Sequence, residues 1–133
     1  MPGLRETDSA GVERHLARHG RVSYLQIPAP DPMALAAFYA AVFGWATGGR
    51  PEHVSFRDPT GDLIGSFSPD LEPAAIPGFL PHIYVEDIEA TVQAVVAHGG
   101  EVVMFPSETD GLLNAEFRDP AGNHLGLWQS TGA

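Results

Sequence analysis

Few residues in this chain can do acid–base or metal chemistry near neutral pH. The 133 residues include six His, no Cys and no Lys. Without Cys, disulfides, thiolate metal sites and Cys nucleophiles are excluded. His15 and His19 have i, i+4 spacing, which puts two imidazoles on one helix face and can suit a metal, yet no third ligand lies near them. His82 stands at the head of a short apolar run, and Glu116 and His124 flank a tight turn near the end of the chain. An imidazole beside a carboxylate is the usual make-up of a general acid/base. His82, Glu116 and His124 show no metal-ligand spacing. His53 and His98 read as surface residues near loop and helix ends. No Gly-rich phosphate loop and no Gly-x-Ser-x-Gly elbow is present.

The elements that must position these residues are built on a motif that occurs twice. Residues 56–65 read Phe56-Arg57-Asp58-Pro59-Thr60-Gly61-Asp62-Leu63-Ile64-Gly65, and residues 117–126 read Phe117-Arg118-Asp119-Pro120-Ala121-Gly122-Asn123-His124-Leu125-Gly126. Six of the ten positions are identical, which points to internal duplication. Each copy predicts a strand, a turn opened by Asp-Pro, and a second strand. Phe56 and Phe117 should face the core.

The flanking elements repeat in the same order. Residues 22–28 alternate as a strand. Asp31-Pro32 caps a helix with the apolar stripe Leu35, Phe38, Tyr39, Val42 and Phe43, and Gly44 ends it. Trp45 begins a short strand, residues 47–52 read as loop, and strands follow near 53–57 and 62–67. In the second half, 82–85 is a strand and Asp87 caps a helix with the stripe Ile88, Val92, Val95 and Val96. Residues 101–105 are a strand, 106–111 a loop, and strands near 113–118 and 123–129 complete the unit. Tyr24/His82, Asp31/Asp87, Gly44/Gly99 and Phe56/Phe117 lie 58, 56, 55 and 61 residues apart. The expected organisation is a tail or short helix over 1–20 capped by Ser9, a βαβββ module over 21–68, a Pro-rich linker over 69–79, and a second βαβββ module over 80–130.

Composition narrows the partners. The formal charge is −10; from residue 22 on, three Arg face fourteen acids. Nucleic-acid binding needs clustered Lys and Arg, so none is expected. No apolar run is long enough to span a membrane. No signal-peptide pattern opens the chain, and a cytoplasmic location is the expectation.

At this point the residues resemble a known family. The stretch from Ile27 through Asp31-Pro32 and Phe38-Tyr39 to Phe43-Gly44-Trp45 resembles the opening of glyoxalase/bleomycin-resistance/extradiol-dioxygenase proteins, the vicinal oxygen chelate superfamily. His82-Ile83-Tyr84-Val85-Glu86-Asp87, the later His98-Gly99-Gly100 and both Asp-Pro-x-Gly turns are similar to it too. The resemblance covers about residues 22–129. It implies an α+β fold in which two tandem βαβββ modules form a curved, open mixed sheet with helices outside and a ligand on the concave face. It also implies metal-ligand positions on the first and last strand of each module, which fall here on Tyr24, Gly65, His82 and Gly126. Only His82 is a good ligand, so no metal and no other cofactor is expected. The metal-dependent lyase, transferase and dioxygenase chemistries of the family then lose their footing. Leu125-Gly126-Leu127-Trp128 also resembles a glyoxalase-related subgroup with Gly in place of the metal-binding Glu.

Strand alternation names the expected lining of that concave face. If Tyr24 faces in, so does Gln26; His82 and Tyr84 follow, as do His124, Gly126 and Trp128. Leu63, Gly65 and Phe67 are expected there from the first module, with Ser55, Asn114 and Glu116 from the preceding strands. The expected ligand-binding set is Tyr24, Gln26, Phe67, Tyr84, Asn114, His124 and Trp128, and the expected catalytic pair is His82 with Glu116. Such a pocket suits a small, partly aromatic or apolar ligand. The resemblance allows two functions: a metal-independent binding protein, or a lyase/isomerase-type enzyme using His82 or a remade metal site. A homodimer is expected, because open sheet edges need covering.

Overall fold

The computed structural model describes residues 6–8 and 11–132. Strand β1 (Tyr24–Pro28) leads into helix α1 (Pro32–Phe43) and strands β2 (Ala46–Arg50), β3 (His53–Arg57) and β4 (Ile64–Ser68). The second half repeats the order as β5 (His82–Tyr84), α2 (Ile88–Ala97), β6 (Glu101–Thr109), β7 (Leu112–Arg118) and β8 (His124–Ser130). Each half is an open four-stranded mixed sheet, ordered β1-β4-β3-β2 and β5-β8-β7-β6. This is the α+β fold of two tandem βαβββ modules.

Local chemistry sets the helix ends. The Asp31 carboxylate accepts from the Ala34 amide at 3.2 Å, and Pro32 sits where no amide donor is needed. Gly44 takes a left-handed conformation, φ 72°, and its N–H reaches the Ala40 carbonyl at 3.1 Å. In the second module Asp87 repeats the cap on Ala90 at 3.0 Å. Helix α1 packs on β2, β3 and β4, and α2 on β6, β7 and β8. The buried positions of α2 are Ile88, Val92 and Val95; Val96, expected on that stripe, is exposed because it lies off the sheet-facing side.

One aromatic core joins the modules. Tyr39 stacks on Trp45 at 4.6 Å between centroids, Trp45 on Phe56 at 4.7 Å, and Phe56 meets Phe67 at 5.2 Å. Phe117 of the second module contacts Phe38 and Phe43 of α1 at 6.2 and 5.8 Å. Such ring pairs add to the burial of large apolar area. Phe56 and Phe117 are both core, as their place in the motif predicts.

The duplicated turns are not equivalent. In the second, the Asp119 amide donates to the Asn123 carbonyl, and Phe117 pairs with Leu125. In the first, the Asp58 amide donates to the Leu63 carbonyl, and Phe56 pairs with Gly65. The first turn is one residue longer. A one-residue slip moves every following side chain to the other face. Phe67 therefore lies opposite Ile27 and Val54 in the core, 2% exposed, and not on the uncovered face. Its expected ligand-binding role is corrected on that ground; Ile64 and Ser66 occupy the uncovered face instead.

Three other segments differ from expectation. Residues 47–50, expected as loop, are strand in β2, paired antiparallel with β3. Strand β6 runs through the expected loop to Thr109, with register shifts between Met104 and Ser107. Pro106 is tolerated because β6 is an edge strand with a bulge. Before β1, Thr7 and Glu13 form a β-bridge and residues 14–16 a turn, with no helix among the described residues. Ser9, the expected cap, lies outside the described residues. Leu16 is buried, the Ser23 hydroxyl donates to its carbonyl, and His15 Nε2 donates to the Gly61 carbonyl at 2.7 Å. His15 is thus a tether to the first turn. No helix among the described residues is long and apolar enough to cross a membrane.

Candidate functional site

Strand pairing in the second module gathers most of the expected residues. His82, Gly126 and Glu116 lie in one cross-strand row, and Tyr84, Trp128 and Asn114 in the next. Residues opposite each other share a face, so all six point to the side that α2 does not cover. Tyr84 meets Trp128 edge to face at 4.7 Å. His124 Nε2 lies 2.7 Å from Glu116 Oε1, with the imidazole almost fully buried. A carboxylate accepts, so Nε2 carries the proton. His124 Nδ1 is buried without a protein partner. Glu116 is thus engaged by His124 and not by His82.

His82 is held differently. Its Nδ1 lies 2.9 Å from the Leu80 carbonyl. A carbonyl only accepts, so Nδ1 is the protonated nitrogen and Nε2 of the neutral ring carries the lone pair. The ring lies over Gly126, and a Cβ at position 126 would overlap it. Glycine is what allows this approach.

The first module presents a separate face. Tyr24 pairs with Ile64, and Gln26 with Ser66, which in turn pairs with Ser55. The Tyr24 hydroxyl donates to Ser66 Oγ at 3.2 Å. A cavity of about 380 Å³ opens here, lined by Tyr24, Ala46, Thr47, Ser55, Arg57 and Ile64. Arg57 is the residue that sequence reasoning missed. Its parity with Ser55 was the available signal, because Phe56 between them faces the core.

A larger cavity, about 870 Å³, runs between the modules. One wall is Val42, Phe43, Trp45 and Leu63; the other is β5 with Val85 and the Ala90–Ala94 face of α2. His82 and Tyr84 line it. Tyr24 lines only the smaller of the two cavities and Tyr84 only the larger, while Gln26, Asn114, His124 and Trp128 line neither, so the expected ligand set does not converge on one cavity.

A buried polar latch joins the modules. The Tyr39 hydroxyl donates to Asp119 Oδ2 at 2.8 Å, and Asn123 Nδ2 donates to the same oxygen and to the Pro28 carbonyl at 2.7 Å. The Ala121 and Asn123 amides donate to Oδ1. Burial raises the Asp119 carboxyl above its ordinary value, and the hydrogen bonds it accepts oppose that rise. Burial first, and the Asp119 charge second, hold the Tyr39 hydroxyl well above its ordinary value.

The four positions that the resemblance assigns to metal ligands do not form a ligand set. Tyr24 is bonded to Ser66, His82 stands alone, and Gly126 is covered by the His82 ring. Gly65 is turned toward Leu25 and Phe56 on the covered face by the longer turn. Among the described residues no three His, Asp or Glu side chains converge as a ligand group.

Comparison with known proteins agrees with this architecture. The chain is 29% identical over 123 residues to CFP32 of Mycobacterium tuberculosis, covering 85% of this chain and 47% of that protein. It is 26% identical over 130 residues to the anthracycline biosynthesis protein DnrV of Streptomyces peucetius, covering 83% of this chain and 47% of that protein. The chain thus spans about half the length of these curated relatives. Among solved structures, a glyoxalase/bleomycin resistance protein/dioxygenase family enzyme from Burkholderia phytofirmans superposes with a TM-score of 0.69 at 24% identity, covering 81% of this chain and 97% of that one. The sequence profile of the glyoxalase-like domain matches residues 24–128, from the first residue of β1 into β8. Two βαβββ modules, the duplicated Asp-Pro-x-Gly turns and that match over both halves place this chain in the glyoxalase-like domain family, within the vicinal oxygen chelate superfamily.

Proposed function

We infer that this protein binds a small, partly apolar organic ligand in the groove between its modules, without a metal at the family positions. The observation that carries this reading is the groove: about 870 Å³, with Phe43, Trp45 and Leu63 facing His82, Tyr84 and Val85. That volume and that mixture of apolar wall with few polar groups suit a small-molecule site. Tyr84, in edge-to-face contact with Trp128, is one of the lining residues of the groove. The His82 Nε2 lone pair accepts a hydrogen bond from a ligand hydroxyl or amide. The likeness to an anthracycline biosynthesis protein supports natural products of that kind as the first ligands to screen.

Filling the groove tests this. Ala90 lines it from the exposed first turn of α2. Ala90→Trp should abolish the ligand-induced NMR shifts at Tyr84 and Val85 while leaving the melting temperature nearly unchanged. Undiminished binding in Ala90→Trp would place the ligand elsewhere.

A further inference from the structure

Arg57 and Arg118 are the same residue of the duplicated motif, yet their charges are met in different ways. Arg118 lies opposite Glu101 in the β6–β7 ladder, and the two pair at 3.3 Å. The first module has Ala46 at the equivalent place opposite Arg57. No carboxylate of its own sheet stands there, and the space belongs to the cavity of about 380 Å³ that Tyr24, Ala46, Ser55 and Arg57 line. The carboxylate comes from outside the module. Glu13, in the segment before β1, takes Arg57 Nη1 and Nη2 in a two-pronged contact at 3.1 and 3.3 Å.

A guanidinium fork is matched to a carboxylate, and Arg57 is a lining residue of the cavity that Tyr24 walls. We propose that Arg57 is the anchor for the carboxylate of an organic acid bound in the first-module cavity, and that Glu13 is its internal stand-in. The neighbouring acids are already engaged. Asp62 lies 3.5 Å from Arg21 Nη2 and 3.8 Å from His15 Nε2, and Asp58 accepts from Thr60, Asp62 and Leu63. The site differs from the groove between the modules, so it stands apart from the reading above.

Phenylacetate is the probe, phenylacetamide its neutral isostere, and the amide shifts of Tyr24 and Ser55 the readout. The wild-type chain should bind the acid in preference to the amide. Glu13→Gln removes the charge of a half-buried competitor and should tighten acid binding by up to about fivefold. Arg57→Gln should weaken it by about tenfold or more. Ala46→Glu rebuilds the pairing of the second module and should displace the acid while keeping the melting temperature. Acid and amide binding equally in Glu13→Gln, acid binding that survives Arg57→Gln, or no binding of the acid to any variant would overturn the proposal. In that last case Glu13 is a structural tether, and Glu13→Gln changes only the melting temperature. Amide shifts confined to Tyr84 and Val85 report the groove and leave that reading intact.

Discussion

The Tyr39 hydroxyl of the first module donates a 2.8 Å hydrogen bond to the Asp119 carboxylate of the second. Both groups are buried, and the same carboxylate also receives Asn123 Nδ2 and two backbone amides. The turn of the second module is thereby bolted to the helix of the first. The matching Asp58 closes only its own turn, with Thr60, Asp62 and Leu63 as donors.

The duplicated aspartates should differ in their contribution to stability. Asp119→Ala strands several buried donors at once, so a loss of about 2–4 kcal/mol is expected. Asp58→Ala exposes its donors to water and should cost about 1 kcal/mol. Urea denaturation of both variants measures the difference. Equal losses would mean that the latch does not join the modules.

Asp119 should also leave a signature in the pH dependence. Its folded-state carboxyl is raised above the ordinary value of 3.8, chiefly by burial. A raised acid favours the folded state in its protonated form. Its contribution is therefore full below 3.8 and is lost as the pH rises through the raised value. A carbon-detected NMR titration should place the Asp119 midpoint above that ordinary value. A midpoint below it would show that the hydrogen bonds outweigh burial.

Gly65 and Gly126, the glycines that close the duplicated motif, should respond differently to Ala. At Gly65 a Cβ would run into the Leu25 backbone carbonyl and the Phe56 ring. Backbone cannot step aside, so Gly65→Ala should cost about 3 kcal/mol. At Gly126 the obstacle is the His82 imidazole, which can rotate away. Gly126→Ala should cost about 1 kcal/mol or less and break the His82–Leu80 contact. Thermal denaturation ranks the two, and the reverse ranking would contradict the register described here.

These glycines also show what the sequence could and could not reveal. The motif pair, the Asp caps and the Gly44 terminator were legible, because each is local chemistry with a fixed spacing. So was the shared face of His82, Tyr84, Asn114, Glu116, His124 and Trp128, since alternation carries across well-paired strands. Phe67 was misplaced because two turns of nearly the same sequence close with different lengths, and no residue in the motif announces the extra one. The Glu116–His124 pair and the Glu13–Arg57 pair were hidden for another reason. Each depends on which neighbour reaches the carboxylate first, and that is a tertiary fact.

Four strand edges, on β1, β2, β5 and β6, lack a hydrogen-bonded neighbour strand among the described residues. On β6, Phe105 is 71% exposed. We propose that a second copy of the chain covers part of this surface. Sedimentation should then report a dimer, and Phe105→Lys on the exposed edge should shift it toward monomer. A monomer at all concentrations would refute this.

The most direct test is a titration of chelator-treated protein with anthracycline-type and simpler aromatic ligands, followed by amide NMR. The account predicts saturable shifts at Tyr84, Val85 and Ala90 in the presence of chelator, unchanged by added zinc, nickel or manganese. Shifts that arise only when a divalent metal is supplied, and that vanish in His82→Ala, would contradict it and point to a metal centre instead.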